Sequence, residues 1–227
     1  MYKPINLVVL DMAGTTVADG GLVERAFAAA ARRTGAEPDS MLDYVRATMG
    51  ESKISVFRHL FGAEAKAQQA NTAFEAAYGE LVDAGHIAPV PGAREAVERM
   101  RADGRTVVLS TGFARTTQDA ILAALGWQDL ADLTLCPADA GGRGRPWPDM
   151  VLAAFLRTRA GTVDGMDQVA VVGDTSYDML SGVRSGAGVV AGVLTGAHDK
   201  GQLEEHGATH VLDSVAGLPD LLARVEI

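Results

Sequence analysis

One cysteine, Cys136, is all that 227 residues provide, so no disulfide can form within the chain and its stability has to come from an apolar core. Basic residues are also scarce: 20 Lys and Arg against 29 Asp and Glu leave a net charge of −9 and a pI near 5.0. With no basic tract and aromatics at 5%, a nucleic-acid surface is not expected, and an anionic ligand needs a local cluster of cations. No apolar run approaches the roughly 18 residues of a membrane span. The opening MYKPINLVVLD lacks the charged, then apolar, then small pattern of a secretory leader, so the expectation is a cytoplasmic protein with no membrane or nucleic-acid partner. Cys136 sits in LTLCPAD without a basic neighbour to lower its pKa, the setting of a buried thiol at a strand end rather than a nucleophile.

What the chain does have is apolar residues and glycine. A composition 48% hydrophobic with 26 glycines implies one large globular domain, or one domain carrying a smaller insertion. Residues 5–17, INLVVLDMAGTTV, run apolar into Asp11 and then a turn of small residues. An unbroken apolar run of this length fits a strand buried on both faces of a parallel sheet, whose carboxyl end is where such sheets bind ligands. Alone, an Asp after a strand is equally a turn former or a helix N-cap.

Residues 21–35, Ala-rich and closed by Gly35, read as a helix, and three more helical stretches follow over Asp39–Thr48, Ser52–Phe61 and about Ala63–Asp83. No strand-like run separates them, so residues 17–88 are expected to be an all-helical insertion whose exit is marked by AGHIAPVPGA, residues 84–93. Beyond it helix and strand alternate: helices Ala93–Ala102, Thr116–Leu125, Pro148–Arg159, Tyr177–Ser185 and Leu218–Val225. The strands between are Thr106–Leu109, Leu133–Leu135, Gln168–Val172, Gly188–Val193 and His210–Leu212. Alternation of this kind implies an α/β fold with a doubly wound parallel sheet.

Three further strand ends carry chemistry. TVVLSTG, residues 106–112, ends in Ser110, Thr111 and Gly112, a hydroxyl and free amides suited to a phosphoryl oxygen, though also ordinary loop composition. GGRGRPWPDM, residues 141–150, fixes Arg143 and Arg145 ahead of prolines, where a guanidinium can neutralise an anionic nucleophile. VAVVGDTSYDML, residues 169–180, places Asp174 and Asp178 one helical turn apart, an all-oxygen pair of the kind magnesium takes.

Asp11, Thr111, Arg145 and the Asp174/Asp178 pair, each at a strand end and in this order, resemble the four motifs of the haloacid dehalogenase superfamily. The resemblance implies a Rossmannoid core, residues 1–16 and 89–227, with the helices of residues 17–88 as a cap domain that closes over the site. It implies that Asp11 attacks phosphorus to give an aspartyl-phosphate that water hydrolyses. Thr111 and Gly112 would hold phosphate, Arg145 would replace the usual motif lysine, and Mg2+ would be held at Asp11, Ala13, Asp174 and Asp178. Gly14, Thr15 and Gly50 are further candidates for contact with a small anionic phosphonate or phosphate substrate. A helical cap with exposed apolar faces is also compatible with a homodimer.

Most phosphatases of the superfamily carry a general acid two residues after the nucleophile, and here that residue is Ala13. Loss of such an acid costs about 10²- to 10⁴-fold. The phosphonatase branch, which hydrolyses phosphonoacetaldehyde, carries Ala there and uses a cap lysine that forms a Schiff base. This chain resembles that branch in DMAGTTV (11–17), MGESK (49–53), STGF (110–113), GRPWPDM (144–150) and GDTSYDM (173–179), which makes Lys53 the candidate Schiff-base residue. Val56 stands where that branch has a histidine one turn after its lysine, with His59 a turn further on. The alternative is a phosphomonoesterase of phosphoglycolate-phosphatase type in which Lys53 clamps phosphate. A phosphometabolite-binding protein without turnover is a third reading, opposed by the retained carboxylates. Trp147 and Phe113, flanking the phosphate motifs, are expected to line the pocket.

Overall fold

The computed structural model describes residues 4–158 and 163–225. A six-stranded sheet runs in the order β5-β4-β1-β6-β7-β8, with β1 Leu7–Asp11, β4 Thr106–Ser110, β5 Leu133–Leu135, β6 Val169–Gly173, β7 Val189–Val193 and β8 His210–Leu212. Every pairing in it is parallel, so each connection must cross over, and helices α5 (Ala93–Ala102), α6 (Arg115–Leu125), α7 (Asp149–Thr158), α8 (Ser176–Ser185), α9 (Lys200–Glu205) and α10 (Leu218–Val225) flank it. Alternate residues of β1 enter different cores: Val8 and Leu10 pack with α5 and α6 residues such as Val97 and Ile121, whereas Leu7 and Val9 pack with Val151 and Ala154 of α7. Burial on both faces explains why the strand is apolar without alternation.

Between β1 and α5 lie four helices, α1 Leu22–Arg33, α2 Asp39–Ala47, α3 Lys53–Phe61 and α4 Glu64–Asp83. They hold together through an aromatic cluster in which Phe27 of α1 meets Phe57 of α3 and Phe74 of α4, each at 4.8 Å between ring centroids. Phe74 and Tyr78 of α4 reach Phe113 at 6.2 and 4.7 Å, so the cluster continues into the loop after β4. Truncating one such buried ring to Ala typically costs about 3–5 kcal/mol.

The expectation of an all-helical segment fails at its root. Val17–Ala18 (β2) pairs antiparallel with Ala88–Pro89 (β3), so entry and exit are tied by a two-stranded ribbon. Two-residue strands have no periodicity to read, and Pro89 looks like a linker residue in sequence. Helix α9 also went unread: its six residues bury Leu203 alone, too little to make an amphipathic pattern, although Asp199 and Gln202 form a capping box. Of the helix read as Pro148–Arg159, the last residue lies outside the described residues. No described helix is long and apolar enough to cross a membrane.

Candidate active site

The sheet's strand order reverses beside β1, with β4 on one side and β6 on the other. The loops beyond β1, β4, β6 and β7, together with residues 19–24 and 46–53, enclose a cavity of about 470 Å³. Asp11 ends β1 opposite Ser110 and is buried. After it the chain folds into a tight turn in which the amides of Thr15, Thr16 and Val17 all donate to the Met12 carbonyl. Gly14 takes φ +85°, and any side chain there would overlap the Asp174 carboxylate.

Asp174 follows β6, and its carboxylate accepts from the Ala197 amide at 2.8 Å and from Thr15 Oγ1 at 3.3 Å. Thr175, not Asp174, caps α8: its Oγ1 accepts from the Asp178 amide at 3.3 Å, while Asp178 Oδ2 accepts from the Thr175 amide at 3.1 Å. This reciprocal box turns Asp178 inward. Arg145, held by the loop before α7, lies between two acids, with Nη2 2.6 Å from Asp11 Oδ1 and Nη1 2.5 Å from Asp178 Oδ1. Among the described residues neither Nη2, despite that distance, nor the buried Nε makes a hydrogen bond.

Asp11, Asp174 and Asp178 each present an oxygen within 4.8 Å of the others, and all three are buried. Removal from water raises Asp11 to about 7, a rise that Arg145 opposes and Asp178 reinforces. Asp174 is raised well above the carboxylate range, first by burial and then by the charges of Asp11 and Asp178. Three desolvated carboxylates with one guanidinium among them form an all-oxygen donor set short of positive charge, which fits a hard divalent cation.

Lys53 enters from the other side. It is the first residue of α3 and 7% exposed, with Nζ 5.4 Å from the Phe113 ring centroid and 5.9 Å from that of Phe27. Burial lowers its pKa to about 8, and repulsion from Arg145 adds to that, against the attraction of Asp19, Asp11 and Asp174. The segment carrying it is pressed onto the sheet's loops at a place only glycine allows: Gly50 has φ +97°, and a side chain there would overlap Thr175 Oγ1.

A family model described as "Hydrolase: haloacid dehalogenase-like hydrolase" matches residues 5–186. The chain belongs to the haloacid dehalogenase-like hydrolases. Among curated relatives of this hydrolase, a phosphonoacetaldehyde hydrolase of Bacteroides fragilis is 29% identical over 245 residues, covering 99% of this chain and 88% of its own. A bifunctional phosphonoacetaldehyde hydrolase/aminoethylphosphonate transaminase of Clostridioides difficile is 26% identical across 99% of this chain, which spans only 40% of that longer protein. The crystal structure of a phosphonoacetaldehyde hydrolase-like protein from Oleispira antarctica superposes with TM-score 0.84 at 24% identity, covering 99% of this chain and 94% of that one.

Of the residues singled out from sequence, Asp11, Ala13, Gly50, Lys53, Thr111, Gly112, Arg145 and Asp174 line this cavity. Gly14 and Thr15 do not; they lie behind Asp174 and shape its seat. Asp178 also lies off the cavity wall, where it anchors Arg145. Phe113 lines the cavity, but Trp147 is half exposed and stacks between Arg143 at 4.8 Å and Arg184 at 5.0 Å. Cys136 is fully buried, and burial raises its pKa, as a structural thiol requires. Three features had not been read from sequence. The Thr195-Gly196-Ala197 turn after β7 holds Asp174 through Ala197 and the Gly14 carbonyl through Thr195 Oγ1. A Glu24–Arg46 pair at 2.8 Å borders the cavity, as does Asp19. The Thr195 turn had a signal, an apolar strand running into Thr-Gly-Ala; the other two did not.

Proposed function

We propose that this chain is a magnesium-dependent hydrolase of the phosphonatase type, which splits phosphonoacetaldehyde into acetaldehyde and phosphate. The observation that carries this reading is a buried lysine with a pKa near 8 in the same cavity as a buried Asp at a strand end, where the residue two positions after that Asp is Ala13. An ester-cleaving site needs an acid at that position for the leaving oxygen. A site that breaks a carbon–phosphorus bond needs an electron sink on the carbon side, and Lys53 supplies one.

In this reading the neutral Lys53 amine attacks the aldehyde carbon and water leaves, giving an iminium two bonds from phosphorus. Asp11 then attacks phosphorus. The P–C bond breaks, its electron pair moves toward the iminium nitrogen, and the organic fragment stays on Lys53 as an enamine, which takes a proton and is hydrolysed to acetaldehyde. Water cleaves the aspartyl-phosphate on Asp11. Asp11, Asp174 and Asp178, with the Ala13 carbonyl, would hold Mg2+, which supplies charge neutralisation for the carboxylates and the phosphoryl oxygens. Arg145, whose Nε has no acceptor among the described residues, and Thr111 with Gly112 would bind phosphoryl oxygens. Residues 17–88 would act as the cap over a core of residues 1–16 and 89–227, with Gly50 setting its closest approach.

Borohydride with phosphonoacetaldehyde should inactivate the wild type irreversibly and spare Lys53→Arg, and phosphate release with Mg2+ should be faster from phosphonoacetaldehyde than from phosphoglycolate. Inactivation of Lys53→Arg at the wild-type rate would sink the Schiff base. Faster release from phosphoglycolate would instead make Lys53 a phosphate clamp and the protein a phosphomonoesterase.

A further inference from the structure

Imine formation on a lysine needs a partner that takes a proton from the ammonium and returns one to the departing hydroxyl. The position one turn beyond Lys53 offers none: Val56 is apolar and buried, and His59 is stacked on Tyr44 at 4.1 Å. Each cavity carboxylate other than Asp19 is paired with a cation or belongs to the three-aspartate cluster. Asp11 faces Arg145, Asp174 is held by Ala197 and Thr15, and Glu24 is gripped by Arg46 through two hydrogen bonds at 3.0 and 2.8 Å.

Asp19 is different. It lies between β2 and α1 on the cavity wall, and its oxygens accept only main-chain hydrogen bonds among the described residues, from Gly21 at 3.1 Å and Val23 at 3.2 Å. Gly20 and Gly21, both with positive φ, wrap the turn around it. Of the acids that attract Lys53, Asp19 acts more strongly than Asp11 or Asp174. We propose that Asp19 is the proton acceptor and donor for Lys53, a catalytic role that rests on the Schiff-base reading above.

The step balances. Asp19 carboxylate takes one proton from the Lys53 ammonium, and the amine attacks the aldehyde carbon. A C–N bond forms, the carbonyl pair goes to oxygen, and a proton moves from nitrogen to that oxygen, leaving a neutral carbinolamine. Asp19 returns its proton to the hydroxyl, which departs as water while the nitrogen lone pair forms the iminium. Asp19 and Lys53 line the same cavity with no direct ion pair between them among the described residues, so the proton passes through a water. The charges of Lys53 and Glu24 act on Asp19, and Asp19 in turn acts on the buried Tyr78 hydroxyl, which has no hydrogen-bond partner among the described residues. Burial raises Asp19 and lowers Lys53, which narrows the gap a proton must cross between them.

The test is the rate of borohydride trapping with phosphonoacetaldehyde in wild type, Asp19→Asn and Asp19→Ala, each first checked for a wild-type-like melting curve. Asp19→Asn keeps one oxygen to accept from the Gly21 or Val23 amide yet cannot carry the proton, and it should trap about 10²-fold more slowly. Added acetate should restore part of the rate in Asp19→Ala, a rescue that a merely structural residue would not show. Trapping of Asp19→Asn at the wild-type rate, or a loss in Asp19→Ala that acetate leaves untouched, overturns the assignment while the Lys53 imine stands. A wild type that is not trapped at all removes the imine and this role together.

Discussion

Replacing Lys53 with Met should make the metal-free protein more stable. A base held at about 8 instead of its ordinary 10.5 costs the folded state about 3 kcal/mol at neutral pH, because the unfolded chain keeps the proton more readily. That value already contains the attraction of Asp19, Asp11 and Asp174, and the imperfect fit of a methionine in the lysine's place takes back part of the gain, so the expected gain is about 1–3 kcal/mol. For a chain of this size that is a rise in melting temperature of about 2–12 °C. Methionine fills similar space and meets the Phe27 and Phe113 rings favourably. The pH dependence carries the sharper test. Between about 8 and 10.5 the unfolded lysine binds a proton that the folded one has lost, so wild-type stability rises with pH across that window relative to Lys53→Met. Denaturant melts of both proteins at pH 7, 8, 9 and 10 should therefore show a gap that is widest at pH 7 and closes upward; the difference cancels the other titrating groups. No gap at pH 7, or one that stays constant to pH 10, would mean that Lys53 is not a desolvated base.

Three more changes follow from the same geometry. Ala13→Asp places an acid in the cavity beside Asp11 and should raise phosphoglycolate hydrolysis by about 10²-fold, read as phosphate release with Mg2+; an unchanged rate would mean that protonation of the leaving group does not limit ester cleavage here. Gly50→Ala forces a side chain into φ +97° and onto Thr175, a cost of about 1–2 kcal/mol, and should lower kcat/KM for phosphonoacetaldehyde about tenfold; wild-type kinetics would show that residues 49–53 need not sit this close for turnover. Asp174→Asn removes one of three crowded carboxylates, so calorimetry should find Mg2+ binding weakened while the metal-free protein melts higher. In the wild type, Asp11 near 7 should release protons as Mg2+ binds at pH 7, and a titration in weakly buffered solution that releases none would contradict the raised pKa.

How much of this could be read from residues alone depended on whether a pattern was long enough or chemically distinctive enough to register. Strand β1 announced itself because both its faces are buried, and the Asp174/Asp178 spacing survived because Thr175 opens a helix there and turns Asp178 inward. The β2–β3 ribbon is two residues a side, below any period, and its Pro89 reads as a break. Helix α9 buries a single leucine. Asp19 was invisible for another reason: nothing local distinguishes an Asp before two glycines from an ordinary turn former. Its place on one cavity wall with Lys53 exists only in the folded chain, across 34 residues of sequence. Trp147 failed in the opposite sense, since Arg145, two residues before it, lines the cavity while the Trp147 ring packs between two arginines.

The charges of the cavity tie these observations into one argument. Asp11, Asp174 and Asp178 carry three negative charges when ionised, Arg145 and Lys53 two positive ones, and Asp19 adds a fourth negative charge on the Lys53 side. Left to itself, so buried an excess of carboxylate is relieved by holding protons, which is what the raised pKa values of Asp11, Asp174 and Asp19 express. A protonated Asp11 is a poor nucleophile, and a site with surplus negative charge repels a dianion. Arg145 cannot correct both, because its two terminal nitrogens are already divided between Asp11 and Asp178. The donor set therefore fits a divalent cation, which would restore the balance for a phosphoryl group. Lys53 belongs to the same balance: its ammonium attracts Asp19 most and Asp11 and Asp174 after it, so loss of its proton leaves the aspartates more in need of a cation. In the proposed mechanism a bound divalent cation would therefore be what lets nucleophilic attack on phosphorus and imine formation on carbon share one cavity.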